Sequence, residues 1–297
     1  MRDVNDGKAV FLCGAGVSCH RAGLPLFGNL TKQVYADLGE NPDHEPAEQR
    51  AMGREEYDRA LTSLEKRTHR PHDISRVRST VAKLLQPPAG PFPDHETLLQ
   101  LSQDPDGRPR VLTTNFDTLF ERAAQSLKMT AHSHAGKALP DAGRPRDQGI
   151  LHLHGRLADV AVPVDATDLV LTSADFGAAY LRDGWAARYI EHRMRLGPLV
   201  LVGYQAEDAA MRLLLEALDA DRDRFPDLHG IYALSVSTIS SASDWKAKGI
   251  TPIEFDSFDS LYRTLSVWAQ YRRDPRAFRH RRLEEILLSP PGVMSHE

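Results

Sequence analysis

Four short segments of the 297-residue chain carry residue types that chemistry needs, and each follows directly on an apolar run. Gly14-Ala15-Gly16 stands after Ala9–Cys13, so two glycines occur where a tightly turning backbone could bring its amides close to a diphosphate. The sixth position of a Gly-x-Gly-x-x-Gly pattern is Cys19, and no second strand ending in Asp or Glu follows about twenty residues on. An ordinary hydride-transferring enzyme is therefore disfavoured, and the motif alone is equally a turn that binds nothing. Thr113-Thr114-Asn115-Phe116-Asp117 places polar side chains at the end of another apolar run. Asn115 can donate and accept hydrogen bonds, which suits a ribose hydroxyl or a water, and it equally suits a left-handed turn. Asp117 can cap a helix starting near Thr118 as readily as take part in catalysis.

The third segment is Ile150–Gly155, with His152 and His154 at alternating positions. Two histidines at that spacing could hold a metal, but no Asp, Glu or Cys lies close in sequence to complete a site, so no metal is expected. His154, at the strand end before Gly155, is the candidate general base; His152 reads as core or as a support behind the site, and His132 and His134 as solvated loop residues. The fourth segment, Gly203-Tyr204-Gln205-Ala206-Glu207-Asp208, follows a strand and opens a helix. Gly203 is the binding candidate there, with Glu207 or Asp208 capping the helix.

The elements that must position these residues read as α/β. Short apolar runs at Ala9–Cys13, Arg110–Thr113, Ile150–His154, Leu199–Val202, Ile231–Ser235 and Pro252–Phe255 are too evenly apolar for half-exposed strands. They predict a doubly wound, mostly parallel sheet covered on both faces, with ligands at the carboxyl ends of its strands. Helical spacing recurs at Asn29–Leu38, Thr118–Leu127, Ala174–Arg195 and Asp208–Leu218. Almost a hundred residues separate the first two strands, far more than one crossover needs, and a helical insertion at about 40–105 accounts for them. Within it Glu45–Lys66 and Asp73–Leu85 read as helices, closed by the Pro-rich breaker Gln86–Pro93. Lys128–Gly149 has no apolar period and reads as a long loop, a candidate lid. The expected division is a catalytic domain over 1–257 and a C-terminal helical extension over 258–297.

Composition narrows the setting. With 41% hydrophobic residues and 26% charged, the chain can bury a sizeable core. A net charge of −4 supplies no field to gather nucleic acid or anionic lipid. Cys13 and Cys19 are the two cysteines of the whole sequence, which rules out a four-thiolate zinc site and points to a reducing cytoplasm. No apolar run reaches the roughly 18 to 20 residues of a membrane helix.

Taken together and in order, GAGVS (Gly14–Ser18) with GLP (Gly23–Pro25), TTNFD (Thr113–Asp117), LHG (Leu153–Gly155) and GYQAED (Gly203–Asp208) resemble the catalytic domain of the sirtuin superfamily. The resemblance implies a Rossmann-like sirtuin fold and NAD as substrate. It implies that Gly14, Ala15, Gly16, Ser18, Pro25, Thr114, Asp117, Gly203 and Tyr204 line the NAD site, that Asn115 orients the nicotinamide ribose and its water, and that His154 is the catalytic histidine. The departures matter as much. Sirtuin deacylases carry a four-cysteine zinc module after the His-Gly pair and usually Asp-Phe-Arg after the proline of the first loop; here Leu26-Phe27-Gly28 follows Pro25 and no cysteine follows Cys19. The chain is thus similar to the zinc-free sirtuin-like proteins of bacteria, many of them NAD-consuming antiphage effectors. That implies NAD hydrolysis to nicotinamide and ADP-ribose, in a homo-oligomer or with a partner ATPase, helicase or Argonaute-type protein. Two other readings use the same rim: a module that binds NAD or ADP-ribose without cleaving it, and an NAD-dependent deacylase. The arginine-rich segment Tyr271–Arg282 could contact phosphates, but a solvated helix face or subunit contact is the expectation, without direct nucleic-acid binding.

Overall fold

A computed structural model describes residues 2–70, 73–157, 168–239 and 241–288. Its centre is a sheet of seven parallel strands: β1 (Val10–Cys13), β2 (Arg110–Thr113), β3 (Ser133–Ala135), β4 (Gly149–His152), β5 (Leu199–Val202), β6 (Ile231–Val236) and β7 (Thr251–Phe255). The strands lie in the order β3-β4-β2-β1-β5-β6-β7. From β1 the chain builds outward on one side as far as β3 and β4, then crosses back to lay β5 against the other side of β1. That reversal makes a crevice at the carboxyl end of β1, where open α/β sheets place ligands.

Alternation along each strand divides the core. Val10, Leu12, Leu112, Leu151, Leu199 and Leu201 face one layer of helices, meeting Ile190, Met194, Met211 and Leu215. Phe11, Cys13, Val111, Ile150 and Val202 face the other, meeting Leu98, Leu99, Phe120 and Leu265. All four side chains of β1 are fully buried, which is why that strand reads as a continuous apolar run. A third apolar cluster, with Leu30, Val34, Leu61, Leu64, Val77 and Val81 at its heart, belongs to the helices inserted between β1 and β2. It closes over Phe116, Leu157, Leu169 and Leu171, the residues that flank the loops after β2 and β4. The insertion therefore packs directly on the chain that carries the candidate site.

Three sequence expectations need correction. Glu45–Lys66 is two helices, Pro46–Gly53 and Tyr57–Thr68, because Glu55 between them takes a left-handed backbone (φ 59°). Ala174–Arg195 is also interrupted. A helix at Ser173–Gly177 runs into a π-helical turn, Ala178–Arg182, and a new helix starts at Trp185 after Gly184 turns left-handed at φ 63°. Lys128–Gly149 is not a free loop: it contains β3, paired with β4, and carries near its end Asp147, whose side chain is fully buried. That carboxylate accepts from Arg193 Nη1 and the Gly143 amide, both at 2.8 Å, and from the Tyr189 hydroxyl at 2.5 Å. A segment anchored by such a cluster at the amino end of the sheet is poorly suited to act as a lid.

Toward the C-terminus, the helix Phe258–Arg273 buries Leu261, Tyr262, Leu265 and Ala269 in the second core cluster. The last described helix, Pro275–Leu288, buries no residue. Among the described residues no helix is long and apolar enough to cross a membrane.

Candidate active site

Strand register decides which residues meet. Cys13 lies opposite both Thr113 and Val202, and Thr113 opposite His152, so β1, β2, β4 and β5 end level with one another. The ladder runs one step further, with Gly14 N to Val202 O at 3.0 Å, Thr114 N to Cys13 O at 3.1 Å and Leu153 N to Thr113 O at 2.8 Å. Gly14, Thr114, His154 and Gly203 therefore emerge on one rim of the sheet.

The glycines on this rim are required by each other. A Cβ on Gly14 would stand 2.6 Å from Gly203 O, one on Gly16 2.8 Å from Gly203 Cα, and one on Gly203 2.5 Å from Val17 N. Gly203 also sits at φ +60°, and its carbonyl accepts from Gly16 N at 2.8 Å. The turn after β5 thus locks into the start of the helix Ala15–His20, and Tyr204 follows it half-buried. Pro25 lies in the loop after that helix, half-buried beside Leu24, whose amide donates to Ser18 O at 3.2 Å.

Beneath the glycines, Ser18 is a hub. Its hydroxyl donates to Asp117 Oδ2 at 2.8 Å and accepts from Asn115 Nδ2 at 3.0 Å, with His95 Nε2 at 3.2 Å. One donor and two acceptor positions are all a serine hydroxyl has, so this one is committed to the protein. Asp117 is buried, which raises its carboxyl above the usual range, while the Leu119 amide and the Ser18 hydroxyl pull the other way. Its Oδ1 accepts from Leu119 N at 3.1 Å, so it does secure the helix Leu119–Ser126.

Asn115 is held from three directions. Its Nδ2 donates to Gly14 O (3.1 Å) as well as to Ser18, its amide N donates to Thr113 Oγ1 (3.1 Å), and its carbonyl meets His152 Nδ1 (2.9 Å). Both side-chain N–H groups are thus spent inside the protein. Oδ1 carries no hydrogen bond among the described residues. The acceptor end of a fixed amide is what remains for a ligand.

His152 supports this arrangement from below. It is fully buried, and its second nitrogen meets Glu121 Oε1 at 2.9 Å. Both ring nitrogens thus face an oxygen, the Asn115 carbonyl and the Glu121 carboxylate. Burial works to raise the Glu121 carboxyl, but the hydrogen bond and charge of His152 outweigh it and hold it down to about 2.

His154 differs in kind. Burial pushes its imidazole down to about 4, against the weaker opposing pull of Asp208, so the ring is neutral near pH 7. The Tyr180 hydroxyl stands 2.7 Å from Nε2, and Phe176 packs edge-on with ring centroids 5.3 Å apart. Nδ1 has no partner among the described residues. Arg78, from the inserted helices, donates to Leu169 O (2.8 Å) and Asp175 Oδ2 (2.6 Å), and the neighbouring Val170 amide donates to His154 O (2.8 Å). Asp208 takes the capping role expected at that end: its Oδ1 accepts from Met211 N at 2.9 Å.

Residues 109–253 match the family model of the SIR2-like domain. The match takes in just under half of the chain. An uncharacterized protein, y4cA, of Sinorhizobium fredii is 41% identical over 298 aligned residues, covering 96% of this chain and 24% of that protein. The chain thus spans about a quarter of the length of that relative. A solved structure titled for the mechanism and regulation of Sir2 enzymes aligns with 93% of this chain and 97% of its own, at 13% identity and a TM-score of 0.42. The SIR2-like match takes in the strands that carry Asn115, His154 and Gly203, and begins after the glycine loop. Among the described residues, no three His, Cys, Asp or Glu side chains are grouped to hold a metal ion.

Sequence reasoning missed His95, Glu121, Arg78 and Tyr180. The first three act through partners 77, 31 and 97 positions away, which local pattern cannot reveal. Tyr180 had a weak signal, an aromatic four residues after Phe176.

Proposed function

We propose that the chain is an NAD+ glycohydrolase, releasing nicotinamide and ADP-ribose. One observation carries the reading: the level strand ends bring the glycine loop, a fixed Asn115 with its side-chain Oδ1 open, and a neutral His154 onto one rim at the topological switch point. Gly14 N and Gly16 N are already bonded to Val202 O and Gly203 O, so the Ala15 amide is the donor of this turn that would meet the diphosphate, with Pro25, Thr114, Gly203 and Tyr204 lining the rest of the site in this reading. Ser18 and Asp117 contribute by holding Asn115 rather than by direct contact.

In this reading the bond between ribose C1′ and the nicotinamide nitrogen breaks through an oxocarbenium-like state, and its electron pair leaves with nicotinamide. Water held by Asn115 Oδ1 attacks C1′ and passes a proton to His154, which returns it to solvent. Positioning supplies much of the rate, and a general base adds typically 10²- to 10⁴-fold. The biological role that goes with this chemistry is NAD depletion in antiphage defence, in a homo-oligomer or with an ATPase, helicase or Argonaute-type partner.

A second reading, NAD or ADP-ribose binding without cleavage, draws on the low exposure of His154, 5%. Nicotinamide release measured beside calorimetric NAD binding separates the two. Release that depends on His154 supports hydrolysis, and tight binding without release supports the module.

A further inference from the structure

His154 is held from several directions by one stretch of chain. Trp185 Nε1 donates to Leu153 O at 3.3 Å, Val170 N donates to His154 O at 2.8 Å, and Phe176 and Tyr180 stack with each other at 16° while meeting the imidazole edge-on at 77°. The segment that does this contains the π-helical turn Ala178–Arg182, closed by the Asp183 N to Ala178 O bond at 3.0 Å. Such turns interrupt a helix at a cost in regularity and recur at functional sites. Here the interruption sets Tyr180 over one ring nitrogen.

We propose that Tyr180 is a positioning residue for the reaction: its phenol oxygen accepts from His154 Nε2–H, which leaves Nδ1 as the basic nitrogen. The proposal rests on the NAD-cleaving reading above. A neutral imidazole has one N–H and one lone pair, and the partner of one nitrogen decides the role of the other. With Nε2 paired to Tyr180 and Nδ1 unpartnered among the described residues, the geometry reserves Nδ1 for the substrate. Once Nδ1 takes a proton, the imidazolium still has an acceptor at Nε2. Asp208, bound by the Tyr204 hydroxyl, puts negative charge near both rings. Its field favours the phenol with its proton toward the carboxylate and its oxygen toward His154. Burial keeps Tyr180 itself protonated.

The test uses Tyr180→Phe, which keeps ring and volume and removes only the oxygen, with Phe176→Leu as the packing control. Nitrogen-15 spectra of labelled histidine report the tautomer without any turnover. Wild type and Phe176→Leu should show His154 as the Nε2–H tautomer, while Tyr180→Phe shifts toward Nδ1–H or a mixture. In the same preparations kcat for nicotinamide release should fall about 10- to 100-fold in Tyr180→Phe. Its KM should stay within about twofold, because substrate binding is untouched. An Nδ1–H tautomer in wild type overturns the proposal, as does an unchanged tautomer in Tyr180→Phe. A rise in kcat overturns it too, since the phenol would then mask the base. If wild type shows the Nε2–H tautomer but releases no nicotinamide, the hydrolase reading fails while the assignment of the two nitrogens stands.

Discussion

The two ends of the sheet treat their central buried acceptors in opposite ways. At the amino end, Asp147 is satisfied around its carboxylate by Arg193, Tyr189 and the Gly143 amide, and Arg110 Nε donates to its carbonyl at 2.6 Å. At the carboxyl end, Asn115 and His154 are just as firmly fixed, yet each keeps one atom unpaired among the described residues. Burial is similar, so depth alone does not mark a site. Arg193 Nε and Glu121 Oε2 also lack a partner, but as fully buried atoms, so the distinction is a rigid acceptor left over at the rim, which is what preorganised catalysis requires.

The largest test of the contrast is on activity. His154→Ala and Asn115→Ala should each reduce nicotinamide release by about 10²-fold or more while the thermal midpoint moves little. A parallel loss of fold, seen by circular dichroism, would place both residues with the structural end instead. Asp147→Ala should do the reverse. It leaves the 3%-exposed Arg193 charge uncompensated and should cost about 3–5 kcal/mol in urea unfolding. Any protein still folded at low temperature should bind NAD normally. A smaller effect is expected at the hub: Ser18→Ala strands groups on Asn115, Asp117 and His95 and should cost about 1–3 kcal/mol. Turnover should fall with it, because Asn115 loses half of its side-chain anchoring.

Acid should act on the carboxyl end. His95 and His154, pushed down by burial to about 3 and about 4, are neutral when folded and take up protons when unfolded. Stability from this source is present above about pH 6.5 and drains away as pH falls toward those folded values. Glu121, held down to about 2, adds a further loss below about pH 4.5. A thermal midpoint flat between pH 6.5 and 4.5 would contradict the neutral burial of both histidines. The smallest effect belongs to the last helix, where Arg281→Ala on a surface with no buried residue should stay within about 0.5 kcal/mol.

Most of the fold was legible because strands buried on both faces write continuous apolar runs, as Val10–Cys13 and Leu199–Val202 do. β3 was not: Ser133-His134-Ala135 has no apolar run, and it is a strand only because β4 offers it an edge. The break near Gly184 was hidden for a related reason, since apolar spacing continues across it from Ala179 to Ile190 while the backbone turns left-handed. At the site, sequence order placed Asn115, His154, Gly14 and Gly203 after strands, and parallel register then brought them level. The residues that hold them in place come from far along the chain. Ser18 looked like a ligand contact from its motif, yet its hydrogen bonds all go to the protein.

The most direct test is nicotinamide release from NAD by the purified full chain and by His154→Ala, over a range of protein concentrations and without any peptide. Release by the wild type that the variant lacks, with both proteins folded and binding NAD, is the predicted result. Equal release by the two, or NAD bound by the wild type and left intact at every concentration, would contradict the account.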